Sequence, residues 1–117
     1  MPDEIPRRIP AVFYRTSVGG EVVRDWLRGL NEDDRQAIGL DLMRVQYRWP
    51  VGMPLCRALG GGLWEVRTSL PSGRIARMLF CVRDATIIVL SGFIKKTQKT
   101  PDEELTLARK RMKEFLP

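Results

Sequence analysis

The sequence predicts an α+β domain: a small antiparallel β-sheet with an N-terminal helical hairpin packed on one face and a C-terminal helix. Three observations predict it. Apolar residues recur at steps of three and four between Glu21 and Trp49. Strand-like runs joined by turn residues follow between Leu63 and Lys95. A helix-start signal, Thr100-Pro101-Asp102-Glu103, then opens the last segment. The 117 residues suffice for one domain, read as 1–117 with a Pro-rich extension over 1–12.

Ile9 to Thr16 reads as a first strand, weakened by Pro10. Glu21 to Leu30 places Val22, Val23, Trp26, Leu27 and Leu30 on one helical face. Asn31 is a good N-cap, and Glu32, Asp33 and Asp34 follow where the helix dipole favours acids. The second helix turns Ile38, Leu42, Val45 and Trp49 inward and ends at Pro50. The brief join between the two suggests an antiparallel pair. Val51 to Gly62, with its Pro and Gly, reads as a loop.

Three antiparallel strands are expected over Leu63–Leu70, Arg74–Arg83 and Thr86–Lys95. Pro71-Ser72-Gly73 suits a three-residue hairpin loop, with Gly in the left-handed position. Asp84-Ala85 is a poorer turn. Thr100 to Glu103 reads as a capping box with Pro at the first helical position. Leu105, Ala108, Met112 and Phe115 then recur at helical spacing.

The hairpin loop sets a register. With Leu70 and Arg74 flanking it, Trp64 falls opposite Phe80, Val66 opposite Met78 and Arg67 opposite Arg77. Facing like charges weaken a sheet. Facing guanidinium forks suit a phosphate. The expectation is a water-facing anion site on the sheet face away from the apolar pairs. Lys95 and Lys96 leave the sheet nearby, followed by Lys99; Phe93 would offer a stacking face for a base. Arg74, Phe93 and Lys99 are the expected nucleic-acid-binding residues beside this site.

Charge agrees with a polyanionic partner. Twenty Lys and Arg against fourteen Asp and Glu leave +6, with a pI near 9.9. There is no histidine, so imidazole chemistry is excluded, and Cys56 and Cys81 lack zinc-ligand spacing. No metal and no cofactor are expected. No apolar run is long enough to span a bilayer, and the first residues carry no export signal. A cytoplasmic protein without a membrane partner is expected.

These residues resemble a known family. GLWEVR (Gly62–Arg67), the Arg77 strand and GFIKKTQKTPDEELTLARKRMKEF (Gly92–Phe115) look like the phage-derived branch of the RelE/HigB toxins. WPVGMPLCRALGGG and VRDWLRGLNEDDRQAIG, upstream, are similar to it too. The resemblance implies a toxin of a type II toxin–antitoxin system, with a RelE-like fold. It would be an endoribonuclease acting on mRNA at the ribosome, held inactive by a cognate helix-turn-helix antitoxin. By position, Arg67, Arg77, Lys95 and Lys96 match its catalytic basic residues. RelE-type toxins tend to carry a C-terminal Tyr, whereas the tyrosines here are Tyr14 and Tyr47. A gyrase inhibitor of the ParE type on the same scaffold, and a non-catalytic RNA- or DNA-binding module, are the alternatives.

In such a reaction the substrate's own 2′-OH attacks the adjacent phosphate. Arg67 and Arg77 would clamp its nonbridging oxygens. Lys95 or Lys96, made less basic by neighbouring cations, would move a proton.

Overall fold

The computed structural model describes residues 8–95 and 100–115. Five strands and three helices follow in the order β1 (Ala11–Phe13), α1 (Val22–Arg28), α2 (Glu32–Arg48), β2 (Cys56–Gly60), β3 (Leu63–Ser69), β4 (Ile75–Arg83), β5 (Thr86–Lys95) and α3 (Asp102–Lys113). The strands form one sheet in the order β1-β5-β4-β3-β2. The class is α+β, as expected.

The sheet is mixed rather than antiparallel, because β1 runs parallel to β5. Only three residues of the expected first strand pair, Ala11–Phe13. The backbone N–H of Ile87 donates to the Pro10 carbonyl, and that of Tyr14 to the Val89 carbonyl.

The expected loop over Val51–Gly62 also contains a strand. Cys56–Gly60 pairs antiparallel with β3, and Gly60-Gly61-Gly62 makes the turn between them. Its φ values of 96°, 65° and 88° are left-handed, a region that only glycine enters cheaply. The triple glycine is thus a hairpin turn. Arg109 of α3 donates to the Leu59 and Gly60 carbonyls at this corner.

The β3–β4 hairpin closes as its loop predicts. Gly73 has φ 88°, and the Leu70 N–H donates to the Arg74 carbonyl at 2.8 Å. The β4–β5 link at Asp84-Ala85 is a two-residue turn with φ 51° and 54°. That left-handed pair matches the twist of the flanking strands, at a steric cost for Ala85.

Helices cover both faces of the sheet. Val23, Ile38 and Val45 of α1 and α2 pack with Val66, Met78, Phe80, Ile87 and Val89. Ala108 and Met112 of α3 pack on the opposite face, with Leu63, Leu79, Cys81, Ile88, Leu90 and Phe93. The two side-chain sets alternate along each strand. A bulge between Leu79 and Phe80, across from Leu90, shifts the alternation in β5. Beyond it Gly92 faces the α1 side. Trp26 lies against it so closely that a Cβ there would sit 2.6 Å from the indole ring.

Local signals hold at α2. The Asn31 side chain accepts the Asp34 N–H at 2.9 Å, and Trp49 packs edge-on against Trp64 and Phe80. They fail at α3, where the capping box does not form. Pro101 takes the N-cap position without a side-chain hydrogen bond. The Thr100 hydroxyl instead donates to the Glu65 carboxylate. On α1, Val22 faces outward, against expectation. No helix among the described residues is long and apolar enough to cross a membrane.

Candidate functional site

Arg67 and Arg77 stand directly opposite each other on β3 and β4, in the register their loop predicts. Their environments differ. Arg77 is fully buried, as is Glu65, its diagonal neighbour on β3. Arg77 Nη1 lies 3.6 Å from Glu65 Oε2 and donates to Thr100 Oγ1 at 3.4 Å. Thr100 closes the set by donating to the same Glu65 oxygen. A charge pair in such a place holds only while both members and their hydrogen bonds remain. Arg77 therefore sits in the α3-side core, and the expected water-facing pair of guanidinium groups is not present. The reason is tertiary: Glu65 and α3 cover the face that a bare hairpin would leave open.

Arg67, half-buried, faces other neighbours. It lines a groove of about 640 Å³ between the second half of α2, the segment 51–55 and β3. Three elements build this groove. Pro50 stops α2 and Trp49 pins the chain into the core, so residues 51–55 leave the helix at a fixed point. The Arg67 N–H donates to the Leu55 carbonyl, tying the segment back onto β3. Arg44 and Arg48, four apart, fall on the flank of α2 that borders the opening. Met53, Pro54 and Leu55 supply apolar surface.

The electrostatics favour an anion. Asp41 also lines the groove, and it is occupied by Arg44 at 2.5 Å. Among the described residues, no ion pair engages Arg48 or Arg67. Two uncompensated guanidinium groups with an apolar floor can hold phosphate oxygens and a nucleobase together.

Arg74 is exposed but committed elsewhere, lying 3.3 Å from buried Asp34 at the start of α2 and donating to Ser72 Oγ. Phe93 is buried in the α3-side core beside Arg77, so it offers no stacking platform. Lys95 is the last residue of β5 and pairs with Ile75, which in turn pairs with Ser69 at the groove. Lys96 and Lys99 lie outside the described residues.

Arg44 and Arg48 were not among the expected site residues. Their i, i+4 spacing just before Pro50 is visible in the sequence, but nothing local says that the flank borders a groove.

Other reactive groups serve structure. Tyr14 donates to Glu114 Oε2 at 2.7 Å, and the Arg111 guanidinium stacks 4.9 Å from its ring centre. The bond to Glu114 raises the Tyr14 pKa. Burial, then Asp41, pushes the Cys56 thiol up to about 12, and burial raises Cys81 as well. Both cysteines are buried and free. No group of metal-binding side chains occurs among the described residues.

The family model described as phage-derived protein Gp49-like (DUF891) matches residues 25–113. That span runs from α1 through α3 and contains every wall of the groove. A comparison with curated proteins gives no match.

Proposed function

The chain belongs to the phage-derived Gp49-like family, which is associated with toxin–antitoxin systems, and from that premise we propose that it is a toxin-type endoribonuclease whose RNA lies in the Arg48–Arg67 groove. The observation that carries this reading is the pair of uncompensated guanidinium groups beside an apolar floor.

RNA supplies its own nucleophile. The 2′ oxygen attacks the adjacent phosphorus and the bond to the 5′ oxygen breaks, leaving a 2′,3′-cyclic phosphate and a 5′-OH. The 2′ proton passes to an acceptor and the departing oxygen gains one. Negative charge builds on the nonbridging oxygens, where preorganised cations help most. Arg67 clamps these oxygens, and Arg48 holds the neighbouring phosphate. Lys95 ends β5 in the row of Ile75 and Ser69, two strand spacings or about 9–10 Å from Ser69. It is the proton-transfer group of this reading. Arg77 acts indirectly, by holding β3 and β4 through Glu65. A cognate helix-turn-helix antitoxin restrains the toxin, and mRNA on the ribosome is the substrate.

Induction without an antitoxin, followed by primer extension on total RNA, tests the reading. Wild-type protein should create new mRNA 5′ ends. Arg67→Ala and Arg48→Ala should lose most of them while keeping the circular dichroism of the fold. Growth arrest with intact transcripts and broken DNA would replace this reading with gyrase poisoning.

A further inference from the structure

Helix α2 turns Ile38, Val45 and the buried side of Asp34 and Asp41 toward the sheet. Its outward side is not simply polar. Leu40, Met43 and Tyr47 are 47%, 43% and 48% exposed. With Asp33 and Gln36 they form the series 33, 36, 40, 43, 47, also exposed throughout. This alternation of threes and fours is the spacing of a coiled-coil seam, laid on a face that stays exposed among the described residues. Gly39 beside it has open space above its backbone, so another helix can come close.

The charges along α2 say which helix fits. Its first turn is acidic, with Glu32 and Asp33, and its last turns carry Arg44 and Arg48. Asp33, Leu40 and Arg44 lie along one flank, at i, i+7 and i+11. A helix that complements this face must run antiparallel, basic where α2 is acidic and acidic where it is basic. A second copy of α2 has that pattern. Turned about a two-fold axis at Leu40, it sets Leu40 on Leu40 of the partner subunit. Met43 then falls beside Ala37 of the partner subunit and Tyr47 beside Asp33 of the partner subunit. Arg48 comes within a turn of the same carboxylate. The contact is isologous, so each pairing occurs twice.

We propose that the chain forms a two-fold dimer through the outer face of α2, with Leu40 and Met43 at its centre and Asp33–Arg48 pairs at both ends. The contact is one helix long, so the dimer is a weak, concentration-dependent one.

Sedimentation equilibrium of the isolated protein over a hundredfold concentration range tests it, with no RNA present. The mass should rise from 13.4 kDa toward twice that value. Met43→Lys should hold it at the monomer value with an unchanged circular dichroism spectrum, since the side chain is exposed. Asp33→Arg alone and Arg48→Asp alone should each weaken association at least tenfold, and the double exchange should restore it. A monomer throughout the range would overturn the proposal, as would a dimer indifferent to Met43→Lys. A wild-type monomer that associates only with a different protein through this face would overturn it too. In the dimer Arg48 is engaged by Asp33 of the partner subunit, so dimer and RNA compete for this side chain. Failure of the dimer leaves the RNA groove reading intact, because neither cleavage nor RNA binding enters the measurement.

Discussion

Glu65 and Arg77 meet at 3.6 Å across the β3–β4 ladder, both without solvent exposure. Their bond, shared with Thr100, ties two central strands to the entry of α3. Removing Arg77 leaves the Glu65 carboxylate buried without its cation. Arg77→Ala should therefore cost about 3–5 kcal/mol of folding stability. Glu65→Met with Arg77→Leu should cost less, because no charge is then stranded. Urea unfolding of the three proteins checks the order. Loss of the proposed toxin activity in Arg77→Ala would report unfolding before it reported any catalytic role of Arg77.

Arg48 should behave in the opposite way. It is exposed and outside any ion pair among the described residues, so Arg48→Ala should change stability little. If it neutralises one phosphate of a single strand, the slope of log K against log salt should fall by about 0.7. Titration of a fluorescent single-stranded RNA at several salt concentrations measures this. An unchanged slope would remove Arg48 from the RNA path.

Gly92→Ala should be destabilising although the change adds one methyl group. The added carbon would sit 2.6 Å from the Trp26 ring, and the indole is held between α1 and β5. Overpacking of this kind costs about 1–3 kcal/mol. Thermal unfolding should show the loss, and Trp26→Leu should relieve part of it.

Tyr14 gives a pH signature. Its bond to Glu114 raises the phenol pKa above its ordinary value of 10.0. The folded state thus binds the phenolic proton more tightly than the unfolded state does. The stabilisation is fully present below pH 10 and is lost as pH rises through the folded value. Wild-type protein should lose stability relative to Tyr14→Phe over that alkaline window, and the difference should be flat from pH 7 to 9. Parallel denaturation series of the two proteins check it.

Several of these features are legible in the chain itself. A three-residue loop fixes how two strands pair, so Pro71-Ser72-Gly73 sets Arg67 opposite Arg77 without reference to the rest of the molecule. Asn31 caps α2 and Pro50 ends it through contacts a few residues long. Strand β2 is less legible, since its five residues lie among prolines and glycines and pair only because β3 offers an edge. The parallel β1–β5 contact joins residues more than seventy positions apart, beyond any local pattern.

The sequence by itself determined the α+β class, the β3–β4 register, the helix stop before the groove and the basic character of the surface. All of these follow from short-range sterics, hydrogen bonding and charge count. Tertiary structure alone decided which of two facing arginines reaches water. Glu65 lies next to Arg77 only after β3 and β4 pair, and Thr100 reaches them only after α3 folds across the sheet. That burial turns one guanidinium into a structural tie, while Arg67, at the groove beside Arg48, remains available to an anion.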